Sequence, residues 1–328
     1  MLRVISFFVL FSSIYIPLFA SDFTLSFSPL VGVKKGKLGE YVFLKNCSYS
    51  NDKLSYLDWQ FTNPYIALKT DVGYKRFNIE NAVSYGFCAK SSTMSDSDWL
   101  NVQFSDLSAS QYKTNYSESD NVTKRDISVS TEATFSFFPM ETLSLKPLIA
   151  ADFEYMRFVA QDGEYSYAKS NGNFYYRYDD VSHNSTGNFS GDVLYYRRWS
   201  FYLWLGIAAE YRVFDFLNIG ASVAISPYHF ATDIDTHCLT NTRYIDIIED
   251  NFAAYKASVT LSVPLAKNSR KSAIGLNMSY LYTSVSRGKV YSAKINTASA
   301  KYVQDTSSEC GMDEQFLSIS LFYKFFFF

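Results

Sequence analysis

Two short stretches hold residues whose types and spacing could do chemistry. In STMSDSDWLN (92–101), Asp96 and Asp98 stand two positions apart; in HFATDIDTHCL (229–239), Asp233, Asp235 and His237 repeat that spacing. On a strand, residues i, i+2 and i+4 point to one face, so each set would present its ionisable groups together. An aspartate beside a histidine can orient the ring and stabilise its charged form, and the histidine then serves as a general base. A second pair of carboxylates can hold a water, with a proton shared between the crowded acids. If both sets face one lumen, they converge on hydrolysis by activated water, which requires no serine or cysteine nucleophile. Three other readings stand beside this one. The aspartates could be solvated loop residues. With His237 they could bind zinc, although a second histidine ligand at useful spacing is missing. They could also form an acidic mouth that binds basic ligands without cutting them.

Such residues need strands to position them, and alternation dominates the chain. DFTLSFSPLVGV puts Phe23, Leu25 and Phe27 on one face; FLSISLFYKF puts Leu317, Ile319, Leu321, Tyr323 and Phe325 on one face with Ser318, Ser320 and Lys324 on the other. Strict apolar–polar alternation describes strands between two environments, in a soluble sandwich or in a barrel. The connections separate these readings. Short ones near 74–78, 138–142, 213–216 and 265–271 alternate with longer polar segments near 45–53, 91–120, 163–192, 233–250 and 286–314. Five long loops and four short turns predict an all-β, ten-stranded antiparallel transmembrane barrel, with short periplasmic turns and long extracellular loops. Ten strands leave little room for the open channel of a porin. The stretch from Phe214 to Asp233 would run roughly 60 Å at about 3.3 Å per residue. Even tilted, it outreaches an apolar band of about 25 Å, which places the aspartates on a rim clear of the membrane.

Composition agrees. Of the 328 residues, 30 are basic and 32 acidic, for a net charge of −2; this lacks the basic excess that nucleic acid demands. Aromatic residues reach 18%, with 27 Tyr and 29 Phe, which suits girdles at two membrane interfaces. Residues 1–20 read as a secretory signal peptide: Arg3, an apolar run over 4–19, then Ala20 as the small residue before the cut. Residues 21–328 then form a single barrel domain in a bacterial outer membrane. None of Cys47, Cys88, Cys238 and Cys310 forms a CxxC pair. Export permits disulfides, and a bond between Cys238 and Cys310 is expected, since they fall on the fourth and fifth long loops.

The chain resembles the omptin family, outer-membrane aspartate/histidine endoproteases. MSDSDWLN is similar to its Asp-x-Asp-Trp, with Asp96 and Asp98 at the catalytic pair; TDIDTHC is similar to its Asp-x-Asp-x-His, with Asp235 and His237 at the catalytic dyad. The resemblance further implies that Asp233 and Glu40 (in GKLGEYVFL) line the S1 pocket and that Asp106 (in FSDLS) is the acid of the S1′ side. It implies cleavage of polypeptides beside basic residues, facing outward, with no cofactor. Two departures stand out. Ser110 and Gln111 occupy positions where the family has His-Pro. Around Arg157, DFEYMRF matches poorly the patch through which omptins bind lipopolysaccharide, which leaves a lipid requirement open.

Overall fold

A computed structural model describes residues 22–45, 52–87, 89–103, 109–214, 216–265, 272–295 and 301–327. Residues 1–20, Cys47, Cys88 and Asp106 lie outside them. The strands are β1 (Phe23–Leu44), β2 (Lys53–Tyr74), β3 (Phe77–Gly86), β4 (Ala89–Asp98), β5 (Asn115–Phe135), β6 (Phe137–Met140) and β7 (Leu143–Ala168). They continue with β8 (Asn184–Phe214), β9 (Leu217–His237), β10 (Thr242–Asp250), β11 (Ala254–Pro264), β12 (Ser272–Lys294), β13 (Val303–Gln304) and β14 (Ser308–Phe326).

These strands make ten staves. β3 and β4 both lie between β2 and β5 and form one interrupted stave. β10 and β11 likewise share the place between β9 and β12. β6 and β13 are short additions. Every pairing is antiparallel, and β1 pairs with both β2 and β14, so the sheet closes on itself as the alternation predicts.

The outer face carries an apolar belt. Val31, Leu68, Ile149, Leu205, Ile207, Val223 and Leu321 are all exposed, with Ile207 at 65%. Phe77, Phe137, Phe138, Phe214, Phe216 and Phe327 ring its short-turn end. This is the surface of a barrel that spans a membrane.

Four of the five long segments differ from expectation, because about half or more of each is strand. The 233–250 segment is the end of β9, a turn at 238–241, and all of β10. Asp96 and Asp98 close β4, and β8 runs for 31 residues. Above the belt the staves meet water outside and polar side chains inside, so alternation fades. The hydrogen-bonded ladder continues nonetheless, because each strand still has a partner on both sides.

Inside, two regions are stacked. The short-turn half encloses a cavity of about 1360 Å³ lined by residues such as Lys69, Asp71, Glu80, Asp152 and Lys256. Between it and the long-loop mouth lies a layer of buried aromatic rings, Trp59, Phe61, Phe158, Tyr196, Tyr202 and Trp204. Trp59 stacks on Tyr196 at 4.9 Å and on Phe158 at 5.8 Å. Beside Phe61, the buried Lys34 reaches Asp126 at 3.3 Å and Glu154 at 3.5 Å. The lumen is filled at this level, so the molecule is a packed barrel and not a channel.

Candidate active site

Each candidate residue comes from the upper, lumen-facing part of a stave. β9 presents His229, Ala231, Asp233, Asp235 and His237 at every second position. β4 presents Met94, Asp96 and Asp98. Between β4 and β9 the ring runs through β5, β7 and β8, so the two sets stand on opposite walls of one mouth.

On the β9 wall, His237 Nε2 lies 2.6 Å from Asp235 Oδ2. Asp235 is 1% exposed. Burial opposes a charged His237, but the Asp235 charge and hydrogen bond, with Asp96 and Asp98 beyond, override it and raise the imidazole to about 9. Asp235 leaves Nδ1 as the ring nitrogen available to a water.

On the β4 wall, Asp96 is half-buried, and its Oδ1 is shielded with no hydrogen-bond partner among the described residues. Burial, then repulsion from Asp98, pushes its carboxyl up to about 8, partly offset by His237. Asp98 is raised too, again mainly by burial, while a 3.0 Å hydrogen bond donated by Asn115 Nδ2 favours its charged form. Two carboxyls with raised affinity thus face an imidazolium across the mouth. That is an arrangement in which protons are shared among coupled groups.

Beside the dyad lies an acidic pocket. Carboxylate oxygens of Glu40 (β1), Asp233 (β9) and Asp246 (β10) all lie within 4.8 Å of one another, and all three residues are buried. Carboxylates at that spacing could hold a metal ion or an organic cation. Burial, then neighbouring carboxylates, raises Glu40 and Asp246 well above the usual range. Asp233 rises to about 7, through burial that Arg198 and a hydrogen bond from Tyr196 only partly offset.

Arg198, 3% exposed, braces this pocket. It donates from Nε to Tyr196 Oη (2.8 Å), from Nη1 to the Asp313 carbonyl (2.9 Å) and from Nη2 to the Gly39 carbonyl (2.8 Å). Tyr196 in turn donates to Asp233 Oδ2 at 2.9 Å. Any side chain at Gly39 would force the Asp313 carboxylate to shift. A Cβ at that position would stand 2.0 Å from Asp313 Oδ1.

The structure therefore brings Asp96, Asp98, Asp233, Asp235, His237 and Glu40 to one mouth, while Asp106 lies outside the described residues. Ser110 is fully buried and Gln111 exposed on the 3₁₀ turn Ala109–Gln111. His229 stacks on Tyr202 at 4.4 Å beneath the site. Sequence reasoning missed Asp246, Arg198 and Tyr196. Asp246 had a usable signal, since a short turn after His237 folds YIDIIED back beside TDIDTH.

The expected disulfide is not formed; Cys238 and Cys310 are free thiols. β10 and β12 intervene between β9 and β14, so two staves separate the end of β9, where Cys238 sits, from Cys310 on β14. Cys238 Sγ turns to the Thr236 carbonyl, and Cys310, fully buried, donates to the Lys289 carbonyl at 3.3 Å.

Three comparisons with known proteins bear on this arrangement. The family model described as Omptin family matches residues 20–325. No curated protein matches by sequence. Among solved structures, the outer membrane protease OmpT from Escherichia coli superposes with a TM-score of 0.78 at 17% identity, covering 94% of this chain and 99% of that one. OprG, an outer membrane protein from Pseudomonas aeruginosa, gives a TM-score of 0.34 at 7% identity, covering 92% and 95%.

Proposed function

The chain belongs to the omptin family, and we propose that it is an outer-membrane endopeptidase that cuts polypeptides beside basic residues, with its mouth facing outward. One observation carries the reading: the Asp235–His237 pair, 2.6 Å apart, faces Asp96 and Asp98 across a mouth whose floor holds buried acids. A water held between His237 and Asp96 would give its proton to neutral His237 as its oxygen attacks the scissile carbonyl, and the imidazolium would return that proton to the amine as the C–N bond breaks. Asp235 keeps the ring oriented and stabilises the imidazolium that forms. Glu40 and Asp233 receive the basic side chain, in a partly dry site where charge pairing is strong.

The test uses refolded protein in detergent with fluorogenic peptides. Asp96→Asn and His237→Ala are each expected to lose about 10²-fold or more in kcat, the low end for a general base. The β signal in circular dichroism should stay intact. Near wild-type turnover in either variant would sink the mechanism. Stoichiometric binding of basic peptides without any cutting would instead favour an acidic receptor.

The outer face supports a lipid partner. Arg125, Arg157 and Arg197 stand in register on adjacent strands β5, β7 and β8, and the Arg197 guanidinium lies 5.5 Å from the Trp199 ring. Such a row suits phosphate groups of an anionic lipid. Lipopolysaccharide should raise activity in detergent, and a triple Arg→Gln variant should lose that response.

A further inference from the structure

The acidic pocket has one more wall than the reading above uses. Asp246 stands directly opposite Asp233 in the β9–β10 ladder, and Arg198 stands opposite Asp233 on the other side, in the β8–β9 ladder. Directly opposed residues on one face bring their Cβ atoms to about 5 Å, and like charges there are destabilising. Asp246 is 1% exposed and Asp233 0%, so water does not relieve the repulsion. Arg198 does not cancel it either. Its guanidinium is committed to Tyr196 and to the carbonyls of Gly39 and Asp313, and the only carboxylate with which it forms an ion pair among the described residues is Glu314, at 3.9 Å.

Three buried oxygens are left with no hydrogen-bond partner among the described residues: Glu40 Oε2, Asp233 Oδ1 and Asp246 Oδ1. These oxygens belong to the three carboxylates that approach within 4.8 Å. Buried acceptors without donors are costly. A group that brings several N–H donors and a positive charge would satisfy all three. An alkylammonium is a compact point charge with three donors, whereas a guanidinium is a planar fork with five. Carboxylates accept from a guanidinium in bidentate pairs, and three of them drawn from β1, β9 and β10 around one centre favour that planar fork over a point donor. The fully buried Cys310 thiol lies beside Asp246.

We propose that Asp246 is a specificity-determining residue, the third acidic wall of this pocket, and that it selects the guanidinium of arginine over the ammonium of lysine. This rests on the peptidase reading, and the experiment separates the two. Peptides differing at one position, Arg, Lys or Ala, are compared on wild type and on Asp246→Asn, which keeps the shape but removes the charge. Arginine amide binding is measured in parallel by calorimetry.

In the variant, kcat/KM for the Arg peptide should fall about tenfold or more, mostly through KM, since one charge-assisted contact is lost. The Arg/Lys ratio should fall, the slow Ala peptide should change little, and arginine amide should bind about tenfold more weakly. An unchanged Arg/Lys ratio together with unchanged arginine amide affinity would overturn the proposal while leaving peptidase activity standing. Absence of any cutting by wild type would overturn the peptidase reading alone, provided arginine amide still binds in an Asp246-dependent way. Zinc binding that Asp246→Asn abolishes, with the Arg/Lys ratio unmoved, would reassign the pocket as a metal site.

Discussion

His237 illustrates how far a single residue can be displaced from its ordinary chemistry. An isolated imidazole titrates near 6.5; here Asp235, at 2.6 Å, helps hold it near about 9. At neutral pH the ring therefore rests protonated and must lose its proton before it can accept one from water. The sign follows directly. Rate should rise with pH through the neutral range and level off near about 9. Asp235→Asn removes the largest influence holding the proton, so the rising limb should move to lower pH while the plateau falls. A pH–rate profile of both proteins checks this, and a limb that stays in place would remove Asp235 from its assigned role. The sequence made the pairing legible, because i and i+2 on a strand must share a face. It did not make the proton affinity legible, since that depends on burial and on Asp96 and Asp98 arriving from another wall.

At the scale of elements, strands β2, β7 and β8 build the floor on which the site stands. Trp59, Phe158 and Tyr196 pack mutually as one ring cluster, and Tyr196 carries both the hydrogen bond to Asp233 and the one from Arg198. Packing and polar geometry are thereby tied together. Trp59→Ala removes a fully buried ring and should cost about 3–5 kcal/mol. It should also weaken discrimination for arginine, because Tyr196 loses the surface that fixes its ring. Denaturant unfolding in detergent gives the first effect and paired peptides give the second; unaltered stability would mean that the ring layer does not support the floor. Alternation revealed the lower halves of these strands well. The upper halves read as loops because both of their faces are polar, and so β10, with Asp246 on it, was hidden within an expected loop.

For the whole molecule, ring closure and the apolar belt decide where the protein can live. Ile207 lies midway along the exposed apolar stretch of β8 and is 65% exposed. Arginine at the midplane of a membrane-facing strand costs about 2–4 kcal/mol. Ile207→Arg should lose that much in lipid vesicles, by urea titration, while peptide cleavage in detergent stays close to wild type. Equal stability in vesicles would mean that this face does not meet lipid. The ten-stave count, the belt and the sidedness of the turns could all be read from the spacing of polar segments. The staves also neighbour one another in chain order, as expected; the Cys238–Cys310 expectation failed because β10 and β12 stand between the two thiols.

The ring layer around Trp59, Phe158 and Tyr196 has a consequence for traffic. A vessel stoppered halfway down has a single doorway, so whatever enters must back out the same way. Severed fragments return to the side from which the polypeptide came, and none is delivered to the compartment behind the barrel. Cutting and import are thus separated by construction, and one plug seated in the mouth would silence the enzyme completely.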